Sequence, residues 1–374
     1  MDKNNSGIFS RIIKERTYMA ANKISKEEII LDNGKKAIAS FPVIVSASRS
    51  TDIPAFYADW FFHRLEKGYS SWKNPFNGVD YYVAYRDTRF IVFWSKNPYN
   101  LIKHLDTLKR RNINCYIQFT LNDYVDEGLE GAVPSVDFRI ATFKKLVDKL
   151  GLGHVVWRFD PLILTDKIDK DDLLRKIEYI VDNLKGYTEK LVFSYADILS
   201  YSRVKKNLEK NGINYIDWST EDMTDFARNL CEMNRKWNYT LGTCGEKIDI
   251  EQFGIVHNKC VDDDLIIRLA YQDHKLMEYM GVHIKQNNDL FGEISMPMNS
   301  IDLGNGLYAV KPDKKMKAPG QREFCQCIDS KDIGEYNTCP HMCEYCYANT
   351  SKEQAKINWE KHQENPFGEN ITGK

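Results

Sequence analysis

From residue 41 onward, short runs of β-branched and aromatic residues alternate with helical patterns along most of the chain. Such runs, bounded by turn residues, are typical of buried strands. Six clear strand candidates occupy residues 41–46, 90–95, 115–120, 154–159, 191–195 and 239–244. Two weaker candidates follow them, at residues 281–285 and 306–310.

Helical patterns fill the intervals, at residues 54–67, 98–111, 137–150, 171–184 and 219–236. Asp52 is the expected cap of the first helix, with Pro54 in its first turn, and Ser219 or Thr220 opens the last. A strand, a helix and another strand in this order form a parallel crossover unit. The pattern favours a (β/α) barrel, complete or partial and TIM-barrel-like, because no glycine-rich phosphate fingerprint of an open sheet follows any strand.

The predicted fold class is therefore α/β, with a barrel over residues 41–320. The other segments are an N-terminal extension (1–40), a cysteine-rich segment (321–350) and a polar C-terminal tail (351–374). Within the extension, Asp32, Asn33 and Gly34 are typical of a hairpin turn.

Charge and hydropathy exclude several classes of protein. The chain has 52 basic and 53 acidic residues, so nucleic-acid binding is not favoured. No apolar run approaches the ~20 residues of a membrane span, and the first 20 residues lack the apolar core of a secretion signal. The sequence indicates a soluble, cytoplasmic protein.

Nine cysteines in a cytoplasmic chain favour metal or redox chemistry over disulfides. Cys115 lies on an apolar strand face and Cys231 on an apolar helix face, so both are predicted to be structural. Cys339, Cys343 and Cys346 have C-x3-C-x2-C spacing, unlike the paired C-x2-C of zinc ribbons.

Three thiolates suit a [4Fe-4S] cluster with one iron open to a ligand, and only His341 or a distant cysteine could complete a zinc site instead. The alternative function is a zinc-stabilised barrel that binds a small ligand or a partner without redox chemistry. Metal analysis separates the two.

Four further cysteines, Cys244, Cys260, Cys325 and Cys327, are candidates for a second cluster or a zinc ion, since four thiolates satisfy either. The alternative is that Cys244 and Cys260 are small buried residues and that the Cys325–Cys327 pair is incidental. Because these cysteines are distant in sequence, their spacing does not decide between the two interpretations.

Long cations follow three of the predicted strands, where parallel barrels place their functional groups. Arg49, Lys96 and Arg158 are the candidates for contacts with a carboxylate or phosphate. They could equally pair with Asp52 and Asp160 in a structural network.

The cysteine spacing, with Tyr345 preceding Cys346, resembles the cluster motif of radical S-adenosylmethionine (SAM) enzymes. The resemblance implies that the cluster chelates SAM and cleaves it reductively, that Tyr345 lies by the adenine, and that the radical formed attacks an unknown small-molecule substrate. It also implies an electron donor such as ferredoxin or flavodoxin. Asp160 and Glu246 are candidates for acid, base or ribose-binding roles. An iron–sulfur protein for electron transfer or sensing, without SAM, is a further alternative.

The wider chain resembles an uncharacterised prokaryotic family, domain of unknown function eighteen-forty-eight. The resemblance covers nearly everything except the N-terminal extension and implies no substrate. It rests on the segments SASRSTDIPAFY (46–57), NPFN (74–77), FWSKNP (93–98), QFTLNDY (118–124), WRFDPLILTD (157–166), FSYAD (193–197) and CQCIDSKDIGEYNTCPHMCEYCYAN (325–349).

Overall fold

The computed structural model describes residues 24–74, 77–286, 297–313, 317–318 and 323–374. Residues 1–23 of the predicted extension, and residues 75 and 76 of the NPFN segment, therefore lie outside the described residues. The strands, in chain order, are β1 (Ser25–Ile30), β2 (Lys36–Phe41), β3 (Ile44–Ala47), β4 (Tyr69–Lys73), β5 (Asp80–Ala84), β6 (Phe90–Ser95), β7 (Asn114–Thr120), β8 (Val155–Leu162), β9 (Leu164–Thr165), β10 (Lys190–Tyr195), β11 (Tyr215–Ile216), β12 (Thr240–Thr243), β13 (Val256–His257), β14 (His283–Gln286), β15 (Ser300–Gly304), β16 (Leu307–Val310) and β17 (Lys331–Asp332).

A parallel sheet of eight strands organises the molecule, in the order β13-β12-β10-β8-β7-β6-β3-β17. From β3 to β13 the strands pair in chain order, as successive crossover units require. The last strand in the chain, β17, pairs with β3, the first strand of the parallel sheet, with Lys331 opposite Val45. The six clear strand predictions are confirmed, and the sheet is compatible with a barrel-like fold.

The two weaker strand predictions are wrong about position. Residues 283–286 and 307–310 are strands, but with β15 they form a separate antiparallel sheet in the order β14-β16-β15. The seventh and eighth places in the parallel sheet belong to β13 and β17, which have two residues each. Strands this short carry no alternation of polar and apolar residues, so periodicity does not reveal them.

The parallel sheet ends at β13 and β17, and these two strands are not paired with each other among the described residues. One backbone hydrogen bond nevertheless crosses between the segments at this seam, from Ile328 N to Val261 O at 3.0 Å. The residues just after β13 and just before β17 therefore lie side by side.

All five predicted helices are present. The first is interrupted at Tyr57, and the second begins as a 3₁₀ turn over Pro98–His104. Asp52 and Ser219 cap their helices by accepting hydrogen bonds from Ala55 N and Asp222 N, as predicted. The helices are Ile53–Phe56, Ala58–Lys67, Leu105–Arg110, Val136–Leu150, Lys170–Leu184, Ser202–Lys210, Thr220–Asn234, Asp263–Ala270, His274–Met280 and Lys352–Glu364.

A second sheet, in the order β1-β2-β5-β4, includes the predicted N-terminal hairpin. Its turn contains Gly34 at φ 78°, a backbone conformation that glycine adopts without strain. The C-terminal residues contact this sheet and the helix beside it: Ser71 N donates to Glu369 O at 2.8 Å, and Trp60 Nε1 donates to Gly368 O at 2.9 Å. The polar tail is thus held against the first helices of the chain.

The main core lies between the parallel sheet and its helices, and its largest buried side chains include Trp157, Phe93 and Phe119. Cys115 is buried there as predicted, and Cys231 Sγ lies 2.9 Å from Phe253 O. No helix within the described ranges has the length and hydropathy to cross a membrane.

Candidate functional site

The carboxyl ends of the parallel strands form the edge at which the predicted site residues gather. The C-terminal cysteine loop reaches this edge because β17 pairs with β3 and delivers its following residues beside the loop after β3. Asp332 accepts hydrogen bonds from Ser48 Oγ and Arg49 N, each at 2.7 Å. Gly334 approaches so closely that an added Cβ would lie 2.0 Å from Ser48 Oγ. The late position of the cysteine motif in the chain is therefore compatible with a place next to the first strand.

The loop with Cys339, Cys343 and Cys346 docks on the segment that follows β7. Ala132 N donates to His341 O at 3.2 Å, and Glu344 N donates to Leu129 O at 3.0 Å. Within the loop, Asn349 Nδ2 donates to Cys339 O at 2.7 Å and Cys346 N donates to Cys343 O at 3.3 Å. The charges of Cys343 and Cys346 act to raise the pKa of Cys339, so the three thiols are near one another.

The imidazole of His341 is taken up by other contacts. Its Nε2 lies 2.8 Å from Asp52 Oδ2 and its Nδ1 lies 3.2 Å from Ala132 O. Asp52 also accepts hydrogen bonds from Ser95 Oγ and Lys96 N, both at 2.7 Å. His341 therefore acts as a link between the cysteine loop and the loops after β3 and β6.

Burial raises the pKa of all three thiols, so the protonated form is favoured when no cation adjoins the sulfurs. The positive charge of Lys96 acts to lower the pKa of Cys343 and Cys346. A metal group that brings its own positive charge can displace these protons.

Lys96 lies next to the cysteine loop, as part of a buried network with Glu130 and Tyr345. Its Nζ is 2.7 Å from Glu130 Oε1 and 2.8 Å from Tyr345 Oη. Tyr345 Oη also donates to Glu130 Oε1 in a short contact, and Asn122 Nδ2 donates to Tyr345 Oη at 3.2 Å. The hydroxyl of Tyr345 is thus fixed by three partners.

Glu130 is the functional candidate that the sequence did not reveal. It is fully buried, with Oε2 3.8 Å from Arg139 Nη2. Burial acts to raise its pKa, but Lys96 and Arg139 hold the pKa at about 2. A lone carboxylate in a loop has no spacing signal, and only the fold brings it to Lys96.

Arg158 and Asp160 form an ion pair at the end of β8, with a short contact between Nη2 and Oδ2. Arg158 is only 2% exposed, and its Nη1 donates to Gln118 Oε1 at 3.2 Å and to Cys260 Sγ at 3.0 Å. Asp160 also accepts from Ser194 Oγ. Burial acts to raise the pKa of Asp160, but Arg158 and Ser194 lower it, so this carboxylate is ionised at neutral pH.

Arg49 and Glu246 lie towards opposite ends of this edge: Arg49 follows β3 and Glu246 follows β12. Arg49 stacks over Trp94 at 5.6 Å, and Arg158 stacks on the same ring at 5.5 Å. One guanidinium nitrogen of Arg49 is buried and has no hydrogen-bond partner among the described residues. Glu246 accepts a hydrogen bond from Tyr195 N at 2.9 Å.

The structure also brings together the four remaining cysteines of the sequence prediction. Cys244 follows β12, Cys260 follows β13, and Cys325 and Cys327 precede β17, so all four flank the seam of the parallel sheet. The sulfurs of Cys244 and Cys260 are 3.1 Å apart.

These features define a parallel α/β protein with a group of thiols and buried cations at the carboxyl edge of its sheet. The chain belongs to the family described as "Domain of unknown function (DUF1848)", whose sequence profile matches residues 44–348. The matched region begins at β3 and ends within the cysteine loop, so it contains both the parallel sheet and the candidate site. Comparisons with curated proteins and with solved structures found no match.

Proposed function

We propose that this chain is an iron–sulfur enzyme of the radical SAM type, in which Cys339, Cys343 and Cys346 hold a [4Fe-4S] cluster. The observation that carries the proposal is that one loop at the carboxyl edge of the parallel sheet holds three cysteines, Cys343 buried and the other two half-buried, near enough for Cys343 and Cys346 to raise the pKa of Cys339. Three thiolates leave one iron open for SAM. When bound, the cluster supplies the electron that cleaves SAM to methionine and a 5'-deoxyadenosyl radical.

The donor set fits such a cluster. Buried thiols that stay protonated without a neighbouring cation are ligands for a group that carries positive charge. Lys96 then offsets the net negative charge of the cluster and its thiolates, because its ammonium is close enough to Cys343 and Cys346 to lower the pKa of both thiols.

The number of available ligands favours a cluster over one zinc ion. A structural zinc ion takes four ligands, whereas a [4Fe-4S] cluster with one open iron takes three. The loop supplies three thiols. His341, the nearest other ligand type, is engaged by Asp52.

Residues around the thiols have roles in this proposal. The parallel sheet closes as a (β/α) barrel whose mouth receives SAM and a small-molecule substrate. Tyr345, held through its hydroxyl, presents its ring to the adenine. Arg49 offers its buried, unpartnered nitrogen to an anionic group. Asp160, as an ionised carboxylate, accepts hydrogen bonds from ribose hydroxyls, a role that Glu246 shares. A ferredoxin or flavodoxin supplies the electron.

The test is anaerobic purification of the full chain with iron and sulfide analysis, followed by reduction in the presence of SAM. We expect about four irons and four sulfides per chain, and formation of 5'-deoxyadenosine. Cys343→Ala should lose most of the iron, whereas Cys231→Ser, which removes a half-buried cysteine outside both cysteine groups, should keep it.

Three outcomes contradict the proposal in different ways. Absence of iron and sulfide from the wild-type protein removes the cluster itself. A cluster without 5'-deoxyadenosine replaces the enzyme by an electron-transfer or sensing protein. Zinc lost on Cys343→Ala, in a protein without iron, supports instead a zinc-stabilised barrel without redox chemistry.

A further inference from the structure

Cysteines from three distant parts of the chain meet at the seam of the parallel sheet. Cys244 Sγ and Cys260 Sγ are 3.1 Å apart, and Cys327 Sγ accepts a hydrogen bond from Cys260 N at 3.2 Å. Cys260 therefore lies between Cys244 and the Cys325–Cys327 pair. Cys244 and Cys260 are 16 residues apart in the chain, and Cys260 and Cys327 are 67 apart. Only the fold brings them together.

Hydrogen-bond donors converge on two of these sulfurs. The backbone N–H groups of Cys260 and Val261 point at Cys327 Sγ, at 3.2 and 3.4 Å. Arg158 Nη1 lies 3.0 Å and Asn258 Nδ2 3.6 Å from Cys260 Sγ. A neutral thiol is a weak acceptor, so four donors on two sulfurs indicate that these sulfurs are thiolates in the working protein.

The buried guanidinium of Arg158 is the second sign of an anionic centre. Every N–H group of a buried guanidinium requires an acceptor, and Asp160 occupies only one of its two terminal nitrogens. The other points to Cys260 and Gln118. A divalent ion held by four thiolates carries a net charge of about −2, which Arg158 partly neutralises.

The distances distinguish between the forms that paired thiolates can take. A disulfide requires about 2.05 Å between the sulfurs, so Cys244 and Cys260, at 3.1 Å, are not bonded to each other. In a [4Fe-4S] cluster each thiolate binds its own iron, which separates the thiolates widely. Two thiolates on one zinc lie ~3.8 Å apart, close to the contact seen here.

We propose that Cys244, Cys260, Cys325 and Cys327 bind one zinc ion as a closed, structural tetrathiolate site. Cys244 and Cys260 already have sulfurs in contact, and side-chain rotations bring the sulfurs of Cys325 and Cys327 to the same ion. The site ties the segment that precedes β17 to the loops after β12 and β13, across the seam that Ile328 N and Val261 O bridge. It thereby fixes β17, the strand that precedes the loop with Cys339, Cys343 and Cys346. This zinc site does not depend on the proposed function.

The experiment measures zinc in the full chain, purified under reducing conditions from zinc-supplemented cells. We expect about one zinc per chain in the wild type, in Cys343→Ala and in Cys231→Ser, and at least about a fivefold loss in Cys327→Ser. In the same samples, iron should be lost in Cys343→Ala and kept in Cys327→Ser. Failure of this proposal is therefore distinguishable from failure of the iron–sulfur proposal.

A spectroscopic measurement on the wild-type protein avoids dependence on a variant that does not fold. Growth with Co²⁺ in place of zinc should give the thiolate-to-cobalt charge-transfer and visible bands of a tetrahedral tetrathiolate. The proposal is overturned if the wild type holds no zinc, if folded Cys327→Ser keeps it, if iron and sulfide depend on Cys327, or if the cobalt bands are absent.

Discussion

The substitution Glu130→Gln tests the buried charge network that holds Lys96 and Tyr345. Glu130 is fully buried, 2.7 Å from Lys96 Nζ and 3.8 Å from Arg139 Nη2. Glutamine keeps the shape of the side chain but removes its charge. Lys96 and Arg139 are then largely buried cations without a carboxylate partner, and an unpaired buried charge is strongly destabilising.

The magnitude follows from the pKa of Glu130. Burial opposes ionisation, yet Lys96 and Arg139 hold the pKa at about 2, against an ordinary value of 4.5. This difference corresponds to roughly 3 kcal/mol of stability at neutral pH. Because the folded-state pKa is depressed, the contribution is complete above the ordinary pKa and is lost as the pH falls towards 2.

Urea unfolding at pH 7 and pH 3, followed by tryptophan fluorescence, measures this contribution. We expect the variant to be less stable than the wild type by roughly 3 kcal/mol at pH 7 and by about half of that or less at pH 3. Glu27→Gln is the control: Glu27 pairs with Arg86 on the surface, so unfolding should be unchanged. A loss below about 1 kcal/mol at pH 7, or one that does not diminish at pH 3, refutes the reasoning.

Three further substitutions test the surroundings of the cysteine loop. Gly334→Ala places a Cβ 2.6 Å from Ser48 Cβ, so unfolding in urea should show a loss of about 1–3 kcal/mol, and an unchanged midpoint contradicts the close approach. Burial raises the pKa of Glu335 to about 7, so its stabilising effect, present when protonated, is lost as the pH rises from 4.5 through 7. Glu335→Gln should therefore be more stable than the wild type at pH 8 but not at pH 4, and equal stability at pH 8 contradicts this. Tyr345→Phe removes the hydroxyl bound by Glu130 and should cost about 1–3 kcal/mol while iron content stays unchanged; loss of iron would show that the hydroxyl supports the cluster loop itself.

Local sequence patterns predicted most of the regular structure. The strand at residues 90–95 was predicted with its observed bounds, and the helix Lys170–Leu184 within one residue at its start. Both have strong periodicity and clear end signals, with Asp169 capping the helix. Such signals lie within one element and do not require knowledge of its neighbours.

The ends of the sheet required the tertiary structure. β13 and β17 are strands only because β12 and β3 offer them hydrogen-bonding edges, since two residues have no pattern of their own. The sequence therefore favoured residues 281–285 and 306–310, which have stronger strand patterns but pair in a separate sheet. Strand pairing is a non-local decision that propensity does not make.

The sequence by itself determined the chemistry available to this protein: an alternating α/β chain, a C-x3-C-x2-C loop near its end, and cations in or just after three strands. Only the tertiary structure decided which of these groups meet. It placed the loop beside the first strand, buried Glu130 against Lys96, turned Arg158 towards Cys260, and gathered four cysteines at the seam. The physical reason is that the spacing of ligands within one loop can be read directly from the sequence. Contacts between loops depend on how the strands that carry those loops pair.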